Sequence, residues 1–340
     1  MKKQNILIVG GAGYIGSHMC KYLFQKGYNP IVLDNLIYGH KEAVKWGPFI
    51  KGAMEDTLLL TRVFKENNIA AVMHFAAFAY VGESVNDPGK YYNNNVAATI
   101  SLLESMRLNN VNNFIFSSSC ATYGEPLKIP ITEDHPQSPI NPYGRSKLMV
   151  EQILNDYQRA YGLKYITLRY FNAAGSDPDG ELGEDHNPET HIIPLILQTA
   201  LGQRDHVSIF GDKYPTKDGT CIRDYIHVTD LAQAHFLALE NLLGGKKEGI
   251  YNLGNGEGYS VNQVVEIARK VTGRDIPSKI DKRRDGDPAE LISSSLKVTN
   301  DLGWKPQYSD LESIIETAWQ WYKANPTKKN NLKVFSLNNS

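Results

Sequence analysis

The amino-acid sequence predicts an α/β fold in which a Rossmann-type, doubly wound parallel sheet precedes a smaller α+β lobe. Two observations lead to this prediction. Short apolar runs rich in β-branched residues alternate with helical patterns through the first 170 residues, and a glycine-rich loop directly follows the first apolar run. Strands of this kind, joined by helices, are typical of a parallel sheet that is covered on both faces.

The first half of the chain carries the regular part of this alternation. Strands are predicted at Ile6–Val9, Ile31–Leu33, Ala71–Phe75, Phe114–Phe116 and Tyr165–Leu168. Helices are predicted at residues 15–26, 57–67, 88–109 and 143–161. Because the order strand–helix–strand repeats, these elements are expected to form one doubly wound domain, residues 1–175.

The pattern changes near Asn172, where the polar, Gly/Pro-rich stretch GSDPDGELGEDHNPET predicts a loop. Further strands are predicted at 207–210, 222–227, 249–253 and 276–280, and further helices at 191–202, 229–243, 260–273 and 310–324. These elements do not repeat as βαβ units. We therefore expect a second lobe at 176–325, with segments such as 222–245 returning to the first domain, and a polar tail at 326–340.

Composition excludes several classes of function. Lys plus Arg number 36 and Asp plus Glu 37, and this net charge of -1 gives no overall attraction to nucleic acid or to a membrane surface. The cysteines Cys20, Cys120 and Cys221 contain no CxxC pair, which argues against a disulfide framework or a zinc site. No apolar stretch approaches the roughly 18 residues of a membrane span. We expect a cytoplasmic protein with no metal.

The glycine loop predicts a dinucleotide site. Gly10, Gly13 and Gly16 follow the first strand and open the first helix, and Asp34 ends the second strand 18 residues after Gly16. The glycines permit a tight turn, close approach of a pyrophosphate and packing of helix on strand. The helix N-terminus supplies free N–H groups for phosphate. A carboxylate at Asp34 would accept hydrogen bonds from ribose hydroxyls and repel a 2′-phosphate, which predicts NAD rather than NADP.

A tyrosine and a lysine predict the catalytic group. Tyr143 and Lys147 lie four residues apart at the start of a predicted helix, which places their Cβ atoms roughly 5–6 Å apart on one face. A lysine cation at about 4 Å could offset roughly 4 kcal/mol at an effective dielectric near 20. The positive charge of a bound nicotinamide would act in the same direction, so we expect a phenolate near neutral pH, able to remove a proton from a hydroxyl. The fifth strand ends in Ser117, Ser118 and Ser119, at the sheet edge where ligands bind.

Taken together, these features resemble the extended short-chain dehydrogenase/reductase superfamily. Within it, several segments are similar to the UDP-glucose 4-epimerase family. They are GGAGYIGSH, VGESVNDP with YYNNNV, FIFSSSCATYGE, NPYGRSKLMVEQIL, LRYFNAAGSDP, DGTCIRDYIHVTDLAQAH, YNLGNG and KRRDGDPAEL. The segments stand in the family's order and cover roughly residues 4–325. So many matching blocks are far more specific than one motif.

The resemblance implies a role for each matching residue. Tyr143 would be the base or acid, Ser119 would assist it, and Lys147 would hold the tyrosine and the nicotinamide ribose. NAD would be held by Gly10, Gly13, Tyr14, Ile15, Gly16, Asp34, Asn35, Phe75, Ala76, Ala77, Asn94, Ser117, Lys147 and Tyr170. The UDP-sugar would be held by Ser119, Tyr143, Asn172, His191, Ile192, Phe210, Arg223, Tyr225, Arg284, Asp287 and Leu291. Guanidinium groups suit a diphosphate because they form paired hydrogen bonds.

Three positions depart from the family's pattern. Ala53 stands where many members carry an aspartate for the adenine, and Asp56 is a candidate replacement. Ala79 lies where many carry a lysine that binds pyrophosphate. Leu291 stands where some have a large aromatic beside the sugar, and the smaller side chain could leave room for an N-acetyl group.

The resemblance implies redox-neutral inversion of carbon 4 of a UDP-linked sugar, a place in galactose metabolism, and a homodimer. UDP-glucose and UDP-galactose are the expected substrates. A UDP-pentose 4-epimerase remains an alternative, because AYVGES and CATYGE also resemble that branch. A nucleotide-sugar 4,6-dehydratase is disfavoured, since that family carries an acidic pair where Cys120 and Ala121 stand here. A non-catalytic NAD-binding protein on the same fold is the alternative from another class.

Overall fold

A computed structural model describes residues 4–246, 248–284 and 286–326. The strands are β1 (Asn5–Val9), β2 (Asn29–Asp34), β3 (Phe49–Lys51), β4 (Ile69–His74), β5 (Asn113–Ser119), β6 (Lys164–Tyr170), β7 (Asn172–Ala174), β8 (Val207–Phe210), β9 (Ile222–His227), β10 (Gly249–Leu253), β11 (Gly258–Ser260), β12 (Ser278–Asp281) and β13 (Glu290–Leu291). The helices are α1 (Tyr14–Gln25), α2 (Thr57–Asn67), α3 (Val81–Asn86), α4 (Pro88–Tyr91), α5 (Ala98–Leu108), α6 (Pro142–Tyr161), α7 (Ile192–Ala200), α8 (Val228–Leu243), α9 (Val261–Thr272), α10 (Leu296–Leu302) and α11 (Leu311–Ala324).

The main sheet has seven strands in the order β10-β6-β5-β4-β1-β2-β3. Every neighbouring pair in it is parallel. The order runs outward in both directions from the β1–β4 boundary, which is the point where dinucleotides bind in doubly wound sheets. The predicted fold class is confirmed.

The two faces of this sheet bury different halves of the same strands. Ile6 and Ile8 pack with α1 and α8 on one face, whereas Leu7 and Val9 pack with α2, α5 and α6 on the other. Successive side chains of a strand point to opposite faces, so a fully apolar strand such as β1 indicates helices on both sides. Burial on both faces of the sheet explains why β1 is apolar along its whole length, which is the pattern that predicted a doubly covered sheet.

A third core belongs to the smaller lobe. Helices α7, α9 and α11 pack together there around Ala174 and Tyr225. A small sheet in the order β11-β9-β13, with β7 also paired to β9, lies beside this core, and β8 pairs with β12. The chain crosses between the two parts more than once, because β10 joins the main sheet. The division of the chain near residue 175 stays a prediction.

Most predicted elements are confirmed, and the differences are local. The helix predicted at 88–109 is divided into α4, a π-helical turn at Tyr92–Ala97 and α5. The strand predicted at 276–280 is β12 and begins at Ser278. The short elements β3, β7, β11, β13, α3 and α10 were not predicted. Most of the predicted tail, residues 327–340, lies outside the described residues.

Within the described part of the chain, no helix combines the length and the apolar character that crossing a bilayer requires. The longest helix, α6, begins with Asn141 as its N-cap and Pro142 in its first turn, and it ends at Gly162 with φ 71°. Asn, Pro and Gly at these positions follow ordinary capping preferences, which explains why the ends of this helix can be predicted from the sequence. Its position matters because it carries the two residues predicted for catalysis.

Candidate active site

The loop between β1 and α1 is compressed against the end of β4. Gly10 has φ +83°, and a Cβ built there would lie 2.5 Å from the backbone nitrogen of Ala76. A Cβ on Gly16 would lie 2.2 Å from the carbonyl oxygen of Gly10. Gly13 is the N-cap of α1 and provides no side-chain cap, so the first N–H groups of the helix are left for a ligand. The glycines therefore form a cradle that fits a pyrophosphate.

Asp34 closes the other side of this cradle. Its carboxylate accepts hydrogen bonds from the backbone N–H of Ala12 at 3.0 Å and of Leu36 at 2.8 Å. Burial raises the pKa of Asp34, and the two backbone donors oppose that rise. A cleft of about 280 Å³ lies beside it, lined by Val9, Gly10, Leu33, Asp34, Asn35, Gly52, Ala53, Met54, Glu55, Ala76 and Asn94. The cleft lies where the adenosine half of NAD was predicted.

The departures from the family's pattern can now be placed. Ala53 lines the cleft, as expected for the adenine position. Asp56 does not line it, because its side chain caps α2 by accepting from the N–H of Leu59 at 2.9 Å. The suggestion that Asp56 replaces the family's aspartate is therefore wrong. Glu55 does line the cleft, and the sequence analysis missed it because its position next to a cap residue gives no local signal.

The other predicted NAD residues surround the same edge of the sheet. Phe75 and Ala76 both donate their backbone N–H groups to the carbonyl of Val9, at 2.8 and 3.1 Å. Asn94 lies on the π-helical turn, where its amide donates to Asn95. The ring of Tyr14 is turned away from the cradle, since its hydroxyl donates to the carbonyl of Gly175 at 2.6 Å. Only the backbone of Tyr14 therefore faces the phosphate position. Ile15 and Ala77 are the chain neighbours of these residues.

Helix α6 places the predicted catalytic pair at the end of β5. Lys147 is buried, and its ammonium donates to the carbonyl of Ser117 at 2.8 Å. Its Nζ lies 6.0 Å from the ring centre of Tyr143. Burial lowers the pKa of Lys147 to about 7, and the negative charge of Glu151 opposes this effect. The lysine thus sits between strand and tyrosine, held by the backbone of the strand.

The phenol of Tyr143 lies beside Ser119. Burial raises the pKa of Tyr143 to about 12, and the hydrogen bond with Ser119 opposes the rise. Without NAD the pKa of Tyr143 is therefore high, and the predicted phenolate, which also relies on the positive charge of the nicotinamide, stays a prediction. Burial of the phenol is the largest influence on its pKa, and burial also lowers the pKa of Lys147, which weakens the positive charge that the lysine offers.

A buried polar network lies behind this pair, and the sequence analysis missed it. The ring nitrogen Nδ1 of His235 lies 2.8 Å from the carbonyl of Leu231 and must donate to it, so Nε2 accepts from the hydroxyl of Ser117 at 3.0 Å. The same serine hydrogen-bonds to Tyr170. Burial lowers the pKa of His235 to about 4. The histidine is 118 residues from Ser117, so no local pattern could reveal the contact.

A second buried network fixes the next turn of α6. Glu151, four residues after Lys147, accepts from the hydroxyl of Ser118 at 2.6 Å and pairs with Arg169 at 2.5 Å. Arg169 also donates to the hydroxyl of Tyr123 at 2.9 Å. Both members of the ion pair are almost fully buried. The spacing from Lys147 was the available signal for Glu151, because it places the carboxylate on the same helix face.

The predicted UDP residues lie at the edge of the small sheet. Arg223 pairs with Asp287 at 2.5 Å, and the same nitrogen donates to the carbonyl of Pro288 at 2.9 Å. Asp287 also accepts from the hydroxyl of Tyr214 at 3.0 Å. The guanidinium of Arg284 stacks 3.9 Å from the ring centre of Phe210. Two arginines are thus presented with their planar groups oriented by neighbours, which suits a phosphate group.

The remaining predicted substrate residues are placed as follows. Asn172 donates from its amide to the carbonyl of Asp224 at 2.8 Å, and Tyr225 is buried. Leu291 is opposite Arg223 in the β9–β13 pair and packs in a cluster with Tyr123. His191 occupies the N-cap position of α7, which begins at Ile192, and Nδ1 of its ring contacts Glu184. The imidazole of His191 therefore already has a protein partner.

These features point to one family. The sequence profile of the NAD dependent epimerase/dehydratase family matches residues 6–254. The chain belongs to this family. Its glycine cradle, Asp34 and the tyrosine–lysine pair lie inside the matched epimerase/dehydratase region, whereas Arg284, Asp287 and Leu291 lie beyond it.

Relatives and solved structures cover nearly the whole chain. A UDP-glucose 4-epimerase of Halalkalibacterium halodurans is 54% identical over 321 residues, which are 94% of this chain and 96% of that protein. The crystal structure of UDP-glucose 4-epimerase from Brucella ovis in complex with NAD has a TM-score of 0.91 at 53% identity and covers 93% of this chain and 98% of that one. The enzyme from Bifidobacterium longum in complex with NAD⁺ and UDP has a TM-score of 0.91 at 39% identity, covering 95% and 99%.

Proposed function

We propose that the chain is an NAD-dependent UDP-glucose 4-epimerase. It would invert carbon 4 of UDP-glucose and UDP-galactose with no net oxidation. The observation that carries this proposal is the meeting of Tyr143, Ser119 and Lys147 at the end of the main sheet, beside the glycine cradle, in a chain 54% identical to a protein of that name. That arrangement places a proton-transfer group next to a cofactor site.

The cradle fits NAD, because Cβ atoms at Gly10 or Gly16 would collide with the backbone that now surrounds the phosphate position. The helix N-terminus would hold the pyrophosphate and Asp34 the ribose. NAD, when bound, accepts a hydride from the sugar and later returns it. Lys147 would hold the nicotinamide ribose, since its ammonium is fixed by the carbonyl of Ser117 at that end of the cradle.

Tyr143 would exchange the proton of the sugar's O4 hydroxyl at its phenolic oxygen. Ser119 hydrogen-bonds to the phenol and can share the same substrate oxygen. Because burial holds the pKa of Tyr143 near 12, the phenol needs positive charge close by before it can act as a base. Lys147 supplies part of that charge when it is protonated. Inversion would require the 4-keto sugar to turn, so that carbon 4 recovers the hydride on its other face while O4 recovers its proton from Tyr143.

Arg223 and Arg284 would anchor the UDP group while the sugar turns. Their neighbours Asp287 and Phe210 orient the guanidinium planes; the side chain of Arg223 is 13% exposed, and Arg284 is exposed. Asn172, Tyr225 and the start of α7 would complete the nucleotide site. An anchor at one end leaves the sugar free to rotate at the other, which redox-neutral inversion needs.

Dehydration of a nucleotide sugar has less support. The two residues that follow Ser119 are Cys120 and Ala121, so neither offers a carboxylate for elimination of water. Burial raises the pKa of the Cys120 thiol to about 12, and the thiol therefore stays protonated at neutral pH. Cys120 and Ala121, which stand where a dehydratase would carry the additional acid and base, are therefore both uncharged at neutral pH.

The sugar range and the assembly are further parts of the proposal. Leu291 would admit an N-acetyl group, and UDP-pentoses are the alternative substrates. A homodimer would form through α5 and α6, supported by the exposed side chains of Ile100, Leu108 and Met149. Light scattering after gel filtration tests the dimer. A cytoplasmic location is supported by three free cysteines, and a place in galactose metabolism would follow from the proposed substrates.

The deciding experiment incubates purified protein, without added NAD, with UDP-glucose, UDP-N-acetylglucosamine and UDP-xylose separately. Chromatography of the products should show the 4-epimer of UDP-glucose, because the cofactor must remain bound through the cycle and is expected to copurify. A protein that gives no epimer, even after NAD is added, would contradict the proposal. A 4-keto-6-deoxy product would instead indicate dehydration.

A further inference from the structure

The loop between β7 and α7 gathers four side chains that can bind a metal. They are Glu184, His186, Glu189 and His191, here termed the His–Glu cluster. One ligand atom from each lies within 4.8 Å of every other. The proposed epimerisation gives no role to the first three, although the side chains of Glu184 and Glu189 are only 4% and 2% exposed and burial of carboxylates is costly.

The distances between these atoms lie on both sides of the spacing of ligands around one ion, so binding would require a small rearrangement, with the direct contact of His191 and Glu184 lengthened. Nδ1 of His186 lies 3.1 Å from a carboxylate oxygen of Glu184 and 3.8 Å from one of Glu189. Nδ1 of His191 contacts the same oxygen of Glu184. In a tetrahedral zinc site with bonds of about 2.0–2.2 Å, neighbouring ligand atoms are separated by about 3.3–3.6 Å.

Hydrogen bonding accounts for only part of the cluster, namely the contact of His191 with Glu184. Nδ1 of His186 and Oε2 of Glu189 are buried and make no hydrogen bond. The side chain of Glu189 is 2% exposed. Its other oxygen accepts from the N–H groups of Thr190 at 2.7 Å and His191 at 2.8 Å, which leaves Oε2 directed at His186. A buried carboxylate oxygen without a partner is destabilising, and a cation would satisfy it.

A neighbouring acidic group shows the contrast. Asp177, Asp179 and Glu181 also lie within ligand distance of one another. The ammonium of Lys21 already stands among them, at 2.7, 2.6 and 2.7 Å from their carboxylate oxygens. That group therefore has a lysine ammonium as its cation, whereas among the described residues the carboxylates of the His–Glu cluster form ion pairs with the cluster's own imidazoles.

We propose that the His–Glu cluster binds one zinc ion. Two imidazole nitrogens and two carboxylate oxygens suit zinc, whereas magnesium and calcium prefer sites made of oxygen alone. The ion would be structural, because all four positions of a tetrahedron are filled by protein. This assignment replaces the sequence-based expectation of no metal, which rested on the cysteine spacing alone.

The place of the cluster suggests what the ion would stabilise. The ring of His186 packs edge-on against that of Tyr14 at the start of α1, with 6.1 Å between centres. The hydroxyl of Tyr322 on α11 donates to the backbone carbonyl of Glu184. The loop thus joins the helix of the glycine cradle to the smaller lobe, and zinc would fix that junction.

Zinc binding can be measured directly. Full-length protein, stripped with a chelator, is titrated with Zn²⁺ against a chromogenic competing chelator. We expect one zinc per chain, a higher melting temperature on loading, and binding weakened at least about tenfold in His186→Gln and Glu189→Gln. Asp179→Asn, in the neighbouring acidic group, should bind as the wild type does. Excess Mg²⁺ or Ca²⁺ should not displace the zinc.

Three results would overturn the assignment: no stoichiometric zinc in the wild type, unchanged binding in His186→Gln, or loss of binding in Asp179→Asn. If His186→Gln fails to fold, X-ray absorption of the zinc-loaded wild type decides instead. A coordination shell with two imidazoles supports the site, and a shell with none contradicts it. Because the readout is the metal itself, its failure is separate from any failure of the proposed epimerisation.

Discussion

The two ends of the proposed site are built differently. At the reacting end, Ser119 terminates a central strand, and Lys147 is held by the backbone of that strand at 2.8 Å. At the nucleotide end, Arg223 pairs with Asp287 and also donates to the backbone carbonyls of Ile222 and Pro288, whereas Arg284 stacks on Phe210. Backbone orients Lys147 at the reacting end, whereas the side-chain contacts with Asp287 and Phe210 at the nucleotide end can be exchanged.

This difference matches what each end would have to do. Proton transfer at Tyr143 requires reacting atoms within hydrogen-bond reach, so its supports must not move. A diphosphate anchor must first release its present partners, and the Arg223–Asp287 pair is a partner that a phosphate could compete with. We therefore expect substitutions at the reacting end to lower kcat and substitutions at the nucleotide end to raise KM.

The largest effect should come from Tyr143→Phe. Removing the phenolic oxygen removes the group that exchanges the sugar proton, and general acid–base groups typically contribute about 10²–10⁴-fold. We expect kcat for UDP-glucose to fall by about 10³-fold while KM changes little. A coupled or chromatographic assay of epimer formation gives both values.

Tyr157→Phe provides the matched control. Tyr157 lies on the same helix, and its hydroxyl donates to Glu104 at 2.6 Å, away from the strand ends. This variant should keep near wild-type kcat. An equal loss in both variants would mean that the effect comes from α6 as a whole and not from the phenol of Tyr143.

The sequence predicted the reacting end well because its signals are local. Asn141 and Gly162 mark the ends of α6 within one residue of the prediction, and the apolar run of β5 ends in the serines. The predicted phenolate stays a prediction: burial, which acts only in the folded protein, raises the pKa of Tyr143, and the opposing charge of the nicotinamide acts only when NAD is bound. The pattern of residues 88–109 gave no sign of a π-helical turn, because its residues also suit an α-helix.

Contacts between distant segments could not be predicted from pattern alone. Arg223 and Asp287 are 64 residues apart, and no spacing rule connects them. The resemblance named both residues but not their ion pair. Asp56 was misjudged for a related reason, because only the structure shows that its carboxylate is used as the cap of α2.

A pH experiment on His235 probes the supports of the reacting end. Burial lowers its pKa to about 4, whereas an unfolded histidine titrates near about 6.5. Between these values the unfolded chain binds more protons, so stability rises with pH and is lost on acidification. The titration of His235 alone should make the free energy of unfolding about 2 kcal/mol lower at pH 5 than at pH 7.

The variant His235→Gln should show a shallower fall over the same range, by about that 2 kcal/mol, although its stability at pH 7 will also be lower because the hydrogen bond to Ser117 is changed. Urea unfolding at pH 7, 6 and 5, at constant ionic strength, measures the slope. Equal slopes in wild type and variant would show that His235 does not remain neutral in the folded protein.

A smaller effect is expected at the nucleotide end from Arg284→Ala. The guanidinium is exposed, so solvent screening weakens its interaction with the phosphate. We therefore place its contribution to substrate binding at the low end of the range for a charge-assisted hydrogen bond. We expect KM for UDP-glucose to rise about tenfold with kcat nearly unchanged. Arg283→Ala is the control, since that guanidinium stacks on Tyr214 at 4.2 Å instead. Equal increases in KM would indicate a general effect of the basic segment.

The smallest effect concerns the choice of sugar. Leu291 lies in register with Arg223 and is half-buried beside Tyr123, so a larger side chain there would extend from the anchored end toward the sugar. Leu291→Tyr should lower kcat/KM for UDP-N-acetylglucosamine about fivefold relative to UDP-glucose, at the low end of what one added steric contact contributes. UDP-glucose measured on the same preparation is the internal control. If both sugars lose activity equally, Leu291 supports the β9–β13 pair and does not select the sugar. If only the acetamido sugar is excluded, sugar specificity is determined near the nucleotide end of the site, separately from the residues that transfer the proton.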